Sequence, residues 1–401
     1  MTFNQFELDS RLLHAVQRLG FERPTPIQVA AIPRALEGRD ILGSAETGTG
    51  KTAAYLLPLL HRLKEAPQGP SPRALVLTPT RELALQVAEQ ATTLSRELGL
   101  RVATIYGGVG IKPQADALRR GVDVVIATPG RLLDHIGRRN VAFGGLQILV
   151  LDEADRMLDI GFLPDIRRIV RLLPGDRQTM LFSATLAPVV GLAREVTRNP
   201  VRLEVETTVA PGAITQALYP TPEHLKFDLL RRLLEDPCLG SVLVFTRTKH
   251  RADQLARKLQ RAGVAVAQIH GDRSQGQRVA ALEAFRGGHI RVLVATDIAA
   301  RGIDVEGISH VVNYDVPMQA EDYVHRIGRT GRAQAVGHAY TLVTPLDDRM
   351  IQRIEYLLQE KIERRRLEGF DYGLAAARIP TAEEIRRYVE ANRRKPMTAA
   401  I

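Results

Sequence analysis

Residues 148–155 read Ile148-Leu149-Val150-Leu151-Asp152-Glu153-Ala154-Asp155. Four apolar residues in a row predict a short buried β-strand, and the acidic residues then follow the end of that strand. In open parallel sheets, ligands bind beyond the carboxyl ends of the strands. Carboxylate oxygens are suitable ligands for magnesium. The stretch therefore predicts a buried strand of a nucleotide-binding sheet that ends at a magnesium site.

A glycine-rich segment lies about a hundred residues upstream and reads Ala45-Glu46-Thr47-Gly48-Thr49-Gly50-Lys51-Thr52. It matches the phosphate-loop pattern except that Ala45 stands where the first glycine is usual. In this pattern backbone N–H groups cradle phosphates, Lys51 reaches the outer phosphates and the Thr52 hydroxyl binds the metal. Taken singly, the segment could be no more than a glycine-rich turn between a strand and a helix. Together with the acidic strand, it predicts ATP hydrolysis with magnesium.

Length and composition narrow the class of protein. A chain of 401 residues exceeds the usual size of one hydrophobic core, so two domains are expected. Cys238 is the only cysteine, which excludes an internal disulfide framework, and we expect it to be a buried bystander. The absence of a signal sequence and of a long apolar run indicates a soluble cytoplasmic protein with no membrane partner. The net charge of +10 is compatible with a polyanionic partner but identifies none.

Short aliphatic runs alternate with longer helical patterns along the chain. This alternation predicts an α/β fold with doubly wound parallel sheets. It stops at a turn-rich segment and then begins again, which predicts two such domains in tandem. The predicted strands are 41–44, 74–77, 124–127, 148–151 and 179–182 in the first domain, and 242–245, 264–269, 292–295 and 311–312 in the second.

The same pattern gives domain boundaries. We predict a first domain at residues 1–205, a linker at 206–215, a second domain at 216–370 and a short basic tail at 371–401. Residues 361–401 include ten basic and six acidic side chains, a net charge of +4. This charge could add nonspecific RNA affinity, or the segment could be only a solvated helix with a frayed end. A helix packed on the second domain is predicted from the spacing of Ile351, Ile354, Leu357, Leu358 and Ile362.

The second domain has no phosphate loop of its own, so it must contribute something else to a nucleotide site. The best candidate is the segment His325-Arg326-Ile327-Gly328-Arg329-Thr330-Gly331-Arg332, which has three arginines at three-residue intervals. These arginines could complete the site from across a cleft in the manner of an arginine finger. The alternative is surface ion pairing.

The chain resembles the DEAD-box ATP-dependent RNA helicases over about residues 1–350. This resemblance implies two RecA-like domains, and the compact form and short N-terminus are most similar to the bacterial RhlE-type branch. Besides the three segments already quoted, the motifs that carry it are Gly20-Phe21-Glu22-Arg23-Pro24-Thr25-Pro26-Ile27-Gln28, Pro79-Thr80-Arg81-Glu82-Leu83, Thr128-Pro129-Gly130-Arg131, Ser183-Ala184-Thr185 and Ala300-Arg301-Gly302-Ile303-Asp304.

The resemblance implies roles at the ATP site. Gln28 would read the adenine edge and Phe3 would stack on the ring, although without the resemblance Gln28 could be only a helix cap. Asp152 would hold magnesium, mostly through water, and Glu153 would polarise the attacking water. The implied nucleotide-binding residues are Phe3, Gln28, Ala45, Thr47, Gly48, Thr49, Gly50, Lys51, Thr52 and Asp304; the catalytic residues are Lys51, Asp152, Glu153, Arg329 and Arg332; and the metal ligands are Thr52 and Asp152.

The resemblance also implies a coupling set and an RNA surface. Small hydroxyl residues, glycines and arginines suit a sugar-phosphate backbone and its 2′-hydroxyl, so RNA recognition should be independent of sequence. The coupling residues are Asp155, Ser183, Thr185, His325 and Arg326. The RNA residues are Arg81, Gly108, Thr128, Gly130, Arg131, Thr246, His270, Gly271, Thr296 and Arg301.

A single ATP site divided between two domains implies a mechanism. The arginines reach the phosphates only when the domains close, so ATP and RNA should bind cooperatively, and closure should separate short RNA duplexes locally. Single-stranded RNA or short duplex RNA is the expected partner, in ribosomal or RNA-turnover complexes. The alternatives are an ATP-gated RNA clamp with little unwinding activity and, less favoured by the motifs, a DNA helicase.

Overall fold

The computed structural model describes residues 2–45, 48–64, 71–205, 214–300, 307–331 and 336–373. The first domain contains a parallel seven-stranded sheet with strand order β3-β4-β2-β5-β6-β1-β7. Its strands are β1 (Ile41–Ser44), β2 (Ala74–Leu77), β3 (Val102–Ile105), β4 (Val124–Ala127), β5 (Ile148–Leu151), β6 (Gln178–Ser183) and β7 (Val201–Glu204). Its helices are α1 (Ser10–Arg18), α2 (Pro26–Leu36), α3 (Lys51–Leu63), α4 (Arg81–Ser95), α5 (Ile111–Arg119), α6 (Pro129–Gly137), α7 (Ala154–Asp159), α8 (Leu163–Val170) and α9 (Val190–Val196).

The second domain repeats this architecture with a parallel sheet of order β10-β11-β9-β12-β13-β8-β14. Its strands are β8 (Ile214–Pro220), β9 (Val242–Phe245), β10 (Val266–Ile269), β11 (Val292–Ala295), β12 (His310–Asn313), β13 (Gly337–Val343) and β14 (Glu363–Arg364). Its helices are α10 (Lys226–Leu233), α11 (Lys249–Arg261), α12 (Gln275–Arg286), α13 (Asp297–Ala300), α14 (Ala320–Ile327) and α15 (Asp348–Leu358).

Helices cover both faces of each sheet, because successive residues of a strand point to opposite sides. In the first domain, Val76 and Val150 pack with α1 to α4, whereas Leu75 and Leu149 pack with helices of the opposite face. A strand buried on both sides has no polar face, which explains why the central strands are continuous aliphatic runs. The parallel order also brings the carboxyl ends of the strands to one edge in each domain.

The predicted α/β fold with two doubly wound parallel sheets is confirmed. The aliphatic runs at 41–44, 74–77, 124–127 and 148–151 form strands with those bounds. Residues 206–213 of the predicted linker and residues 374–401 of the predicted tail lie outside the described residues. The linker prediction extends too far at its end, since β8 already begins at Ile214 and pairs along β13.

Two smaller expectations need correction. Cys238 is exposed, because it lies in the turn between α10 and β9. The predicted C-terminal helix exists as α15 and buries Ile351 and Ile354, but Leu357 is 44% exposed. Ile362 is buried beyond the end of that helix.

A stacked pair of histidines lies at the amino ends of β12 and β13. His310 is aligned with His338 in the register of the two strands, and their ring centroids are 4.7 Å apart with an interplanar angle of 17°. The His310 ring also meets the Ser309 hydroxyl at 2.9 Å and the Tyr340 ring edge on. Burial, and then the neighbouring His338, lower the pKa of His310 to about 4, although Asp236 opposes this shift.

The lowered pKa of His310 predicts that the second domain loses stability in acid. His310 has a pKa near 6.5 in an unfolded chain, so between pH 6.5 and about 4 the unfolded chain binds a proton that the folded chain does not. We expect this group to lower the free energy of unfolding by about 1–2 kcal/mol between pH 7.5 and pH 5. Urea unfolding at both pH values should show a smaller difference for His310→Phe. An equal difference in the variant would contradict the assignment.

Candidate nucleotide and RNA site

The phosphate loop leads from the end of β1 to the start of α3. Gly48 and Gly50 both have a φ angle of 87°, in the left-handed region that favours glycine. A Cβ atom on Gly50 would lie 2.4 Å from the side-chain nitrogen of Gln28, so no larger residue fits there. Lys51 is buried and donates a hydrogen bond of 2.8 Å to the Ala45 carbonyl. The loop thus has the glycine geometry and the buried cation of a phosphate cradle.

Gln28 connects the start of α2 with this loop. Its Oε1 accepts a hydrogen bond of 2.9 Å from the Thr25 N–H, and its Nε2 donates one of 3.1 Å to the Gly50 carbonyl. The side chain therefore caps the helix and also holds the phosphate loop. An amide has two N–H donors and two lone pairs on its oxygen, so one of each is left for an adenine edge.

Phe3 lies in a short 3-10 helix, Phe3–Phe6, and packs in the core with apolar residues of α1 and α2. Its ring is 5% exposed and stacks on the ring of Phe21 at 6.3 Å, with Phe6 against its edge at 6.0 Å. The three rings form an aromatic cluster beside the segment that contains Gln28. Stacking of Phe3 on adenine stays a prediction.

Asp152 stands at the end of β5 and is 2% exposed. Its Oδ1 accepts a hydrogen bond of 2.9 Å from the Glu153 N–H, and its Oδ2 accepts one of 2.8 Å from the Tyr55 hydroxyl. Burial raises the pKa of Asp152 to about 6 against the opposing effect of the Lys51 ammonium, and burial also raises the pKa of Tyr55 well above its ordinary value. The Lys51 ammonium thus does not fully offset the cost of burying this carboxylate, and a divalent cation would supply further positive charge.

Glu153 has an unusual backbone conformation for a residue with a side chain. Its φ and ψ angles are both 51°, at the position just before α7. Such a conformation costs about 1–2 kcal/mol relative to the right-handed region, so the surrounding contacts must enforce it. The carboxylate is buried, its Oε2 has no hydrogen-bond partner among the described residues, and the Arg156 Nε lies 3.5 Å from it. One oxygen of Glu153 is thus left to accept a hydrogen bond.

Asp155 joins the acidic segment to the end of β6. Its Oδ2 accepts three hydrogen bonds: 3.1 Å from the Ala184 N–H, 3.1 Å from the Thr185 N–H and 3.2 Å from the Thr185 hydroxyl. The Ser183 hydroxyl donates at 2.6 Å to the Thr185 carbonyl. The structure therefore brings the three predicted coupling residues of the first domain into one network.

The arginine segment of the second domain is buried. Arg326 donates to both oxygens of Asp297, at 2.5 and 2.8 Å, and to the Asp315 carbonyl at 2.6 Å. Arg329 is 4% exposed and lines a small gap with His325 and with Arg156 of the first domain. Surface ion pairing therefore does not describe Arg326 or Arg329. Burial, followed by the charge of Arg156, lowers the pKa of His325.

A second contact joins the domains at the start of α4 and α12. Glu82 is 3% exposed, and its Oε2 lies 2.7 Å from the Arg278 guanidinium. Its Oε1 accepts a hydrogen bond of 3.0 Å from the Gln275 side chain. The domains are thus in contact through buried charges, and the carboxyl edges of the two sheets face a shared cleft.

Two of the predicted RNA residues of the first domain, Arg81 and Arg131, contact the glycine turn at Gly108. Arg81 packs on Gly108, where a Cβ atom would lie 1.9 Å from the guanidinium, and Gly108 has a φ angle of 83°. Arg131 donates a hydrogen bond of 3.0 Å to the Val109 carbonyl. Thr128 precedes α6, and at Gly130 a Cβ atom would meet open space.

The predicted RNA residues of the second domain lie at the carboxyl ends of neighbouring strands. Thr246 and His270 are only 0% and 1% exposed. The Thr246 hydroxyl donates to the Thr248 carbonyl at 3.3 Å, and His270 meets Asp253 at 3.2 Å. Neither side chain reaches the surface, so any contact of these residues with RNA must use their backbone or their neighbours. Gly271 and Thr296 lie at the same edge.

Four predicted site residues lie outside the described residues: Thr47, Arg301, Asp304 and Arg332. Sequence reasoning also missed several residues that the structure brings to the site. Tyr55 lies in an apolar helical segment and was not selected as a site residue. Glu82 was quoted only as part of a motif. Others missed were Arg156, Gln275 and Arg278, which lie at the contact between the domains.

The fold and the site define a class of protein: a two-domain α/β enzyme with a phosphate loop in one domain and buried arginines in the other. The family comparison gives the same result. Residues 25–191 match the DEAD/DEAH box helicase family and residues 225–334 match the helicase conserved C-terminal domain. The chain belongs to the DEAD-box family and is an ATP-dependent RNA helicase that hydrolyses ATP.

Curated relatives agree with this assignment. The chain is 43% identical to the DEAD-box ATP-dependent RNA helicase CshA of Bacillus subtilis over 394 residues, which are 98% of this chain and 79% of that protein. It is 42% identical to CshA of Listeria monocytogenes over 389 residues, 96% of this chain and 74% of that protein. These relatives give no support to the expected RhlE-type branch.

Solved structures show which arrangement of the domains the chain adopts. Saccharomyces cerevisiae Dbp5 bound to RNA and ADP BeF3 is similar with a TM-score of 0.83 at 33% identity, over 97% of this chain and 99% of that one. For a point variant of Dbp5 bound to Nup159, a Gle1 variant, IP6 and ADP, the TM-score is 0.63 at 31% identity, over 97% and 100% of the chains. The domain arrangement is therefore closer to that of RNA-bound Dbp5.

The described helices contain none that is long and apolar enough to cross a membrane.

Proposed function

We propose that this helicase works by closing two half-sites around one ATP and one RNA backbone, in the roles predicted from the sequence. The observation that carries the proposal is the small gap where Arg156 of the first domain meets His325 and Arg329 of the second. Arg156 comes from the first domain, so contact between the domains completes the lining of this gap. RNA and ATP would therefore each favour the closed form, and each would strengthen the binding of the other.

Magnesium is the cation that best fits the site. Thr52 and Asp152 are oxygen donors, and magnesium prefers oxygen ligands. Among the described residues, no three His, Cys, Asp or Glu side chains converge to hold a metal. Most ligands must then come from phosphate oxygens and water, as is usual for magnesium with nucleotides. When bound, the cation would neutralise charge on the phosphates.

The protein residues then have distinct tasks. Lys51 would bind the outer phosphates, and Glu153 would orient the attacking water through Oε2, which has no hydrogen-bond partner among the described residues. Arg329, together with Arg332 and with Asp304 at the ribose, would complete the site from the second domain. Asp155 would couple changes at the nucleotide to the segment Ser183–Thr185, from which it accepts three hydrogen bonds.

RNA binding would follow the edge formed by the carboxyl ends of the strands. On the first domain Arg81 and Arg131 offer cations, Gly130 offers open backbone, and Gly108 packs against the Arg81 guanidinium. On the second domain Gly271, Thr296 and Arg301 would continue the track, with the buried Thr246 and His270 supporting it. Such contacts recognise the sugar-phosphate backbone, so short duplexes of any sequence should be separated locally.

The contact between Glu82 and Arg278 should contribute to closure. Removing one partner leaves the other charge buried and unpaired when the domains meet. We expect Arg278→Met to weaken the cooperativity between ATP and RNA by about 10-fold or more. The matched control is Arg231→Met, since Arg231 pairs with Glu235 on the exposed surface of α10. RNA titrations with and without ADP·BeF3 measure the effect, and equal cooperativity in both variants would contradict it.

Steady-state ATP hydrolysis tests the proposed mode of action. Rates should be compared without nucleic acid, with single-stranded RNA and with matched DNA, alongside displacement of a short RNA duplex at the same salt. RNA-selective stimulation with displacement would support local unwinding. Long-lived RNA binding without displacement would support the ATP-gated clamp instead. Equal stimulation by DNA would oppose a function specific to RNA.

The cellular role of this helicase is a further part of the proposal. The CshA proteins that match are bacterial ATP-dependent RNA helicases. A cytoplasmic role in ribosomal or RNA-turnover complexes stays a proposal. Co-purification with ribosomal particles or with RNA-degrading complexes would distinguish the two settings. Recovery with neither would oppose both.

A further inference from the structure

Tyr55 is a buried tyrosine on α3, one helical turn beyond the phosphate loop. Its side chain is 0% exposed. Its ring lies 5.6 Å from the ring of Phe182 on β6, and Phe182 in turn packs on Gly43, where a Cβ atom would lie 2.8 Å from the ring. The tyrosine ring therefore has a fixed position between the helix and the sheet.

The Tyr55 hydroxyl links α3 to the end of β5. It donates a hydrogen bond of 2.8 Å to Oδ2 of Asp152. The other carboxylate oxygen of Asp152 accepts a hydrogen bond of 2.9 Å from the Glu153 N–H. Together the two bonds fix the orientation of the Asp152 carboxylate.

We infer that Tyr55 is a positioning residue for the divalent cation, because its hydroxyl holds the Asp152 carboxylate in a fixed orientation. This inference rests on the proposed function, in which Asp152 binds magnesium. With few protein ligands at the site, the orientation of each one has a large effect on affinity. Partners that orient metal ligands typically contribute about 10- to 100-fold to metal affinity.

Packing alone does not explain the hydroxyl. Phenylalanine has the same ring and would fill the space against Phe182. A hydroxyl group in a buried position costs free energy unless it is hydrogen-bonded, and here its partner is Asp152, a proposed metal ligand. The geometry thus assigns the hydroxyl to the site and the ring to the core.

Binding of a fluorescent ADP analogue at increasing magnesium concentration tests the inference without relying on catalysis. We expect Tyr55→Phe to need about 10-fold more magnesium than the parent protein for half-maximal nucleotide binding. At saturating magnesium the variant should bind nucleotide fully, which also shows that it is folded. The control is Tyr323→Phe, because Tyr323 is equally buried and donates a 3.0 Å hydrogen bond to Gln216.

The outcomes distinguish the role of Tyr55 from the proposed magnesium site on which it rests. If nucleotide binding by the parent protein does not depend on magnesium, the proposed cation site itself fails. A magnesium-dependent parent with an unshifted Tyr55→Phe variant overturns the role of Tyr55 and leaves the site intact. An equal shift in Tyr323→Phe also overturns it, since the effect would then follow from losing any buried hydroxyl.

Discussion

Replacing Glu153 by Gln should lower RNA-stimulated ATP hydrolysis by about 100- to 10,000-fold. The amide keeps the size of the side chain and the left-handed backbone at this position, but it cannot polarise water as a carboxylate does. ATP and RNA binding should survive, because the phosphate loop and the RNA surface are unchanged. Single-turnover hydrolysis together with equilibrium binding of ATP and RNA measures both parts.

The matched control for this variant is Glu89→Gln, on the exposed side of α4. It makes the same chemical change away from the site, so its hydrolysis rate should equal that of the parent protein. Unchanged turnover in Glu153→Gln would remove Glu153 from the role of orienting water. A parallel loss of ATP binding would instead indicate damage to the nucleotide site.

Replacing Arg329 by Ala should lower hydrolysis by about 1,000-fold, the lower end of the range for arginine fingers. Arg329 is buried in the gap between the domains, so the variant should also lose closure that depends on ATP. RNA binding without nucleotide should change little, because the proposed partner of this arginine is phosphate. Hydrolysis rates and RNA affinity with and without ADP·BeF3 give the result.

Arg353→Ala is a suitable control, since Arg353 is an exposed arginine on α15. It should behave as the parent protein in all three measurements. If Arg329→Ala instead loses RNA binding in the absence of nucleotide, Arg329 belongs to the RNA surface. Normal hydrolysis by this variant would exclude it from the ATP site.

The sequence predicts the central strands well because they are buried on both faces. A run such as Val292-Leu293-Val294-Ala295 has no polar position and needs no knowledge of the rest of the fold. The unpredicted strands have mixed patterns. β3 alternates buried and half-buried residues, and β7 alternates half-buried and exposed ones. Their pairing depends on neighbours from distant parts of the chain, which a local pattern does not contain.

The site shows the same division between local and distant information. Phosphate loops and acidic strand ends are local motifs, so Lys51 and Asp152 could be predicted as site residues. The hydrogen bond from Tyr55 to Asp152 joins residues 97 positions apart, and that from Gln275 to Glu82 joins residues 193 apart. The exposure of Cys238 depends likewise on how a turn is packed. Such features follow from the tertiary fold.

Energy transfer between dyes on the two domains measures closure directly. Cys238 provides an exposed labelling site on the second domain, and Glu89→Cys adds one on the exposed side of α4 in the first. We expect low transfer with ATP analogue alone or RNA alone, and high transfer only when both are present. High transfer without ligands, or no change when ATP analogue and RNA are combined, would contradict a mechanism in which both close the cleft together.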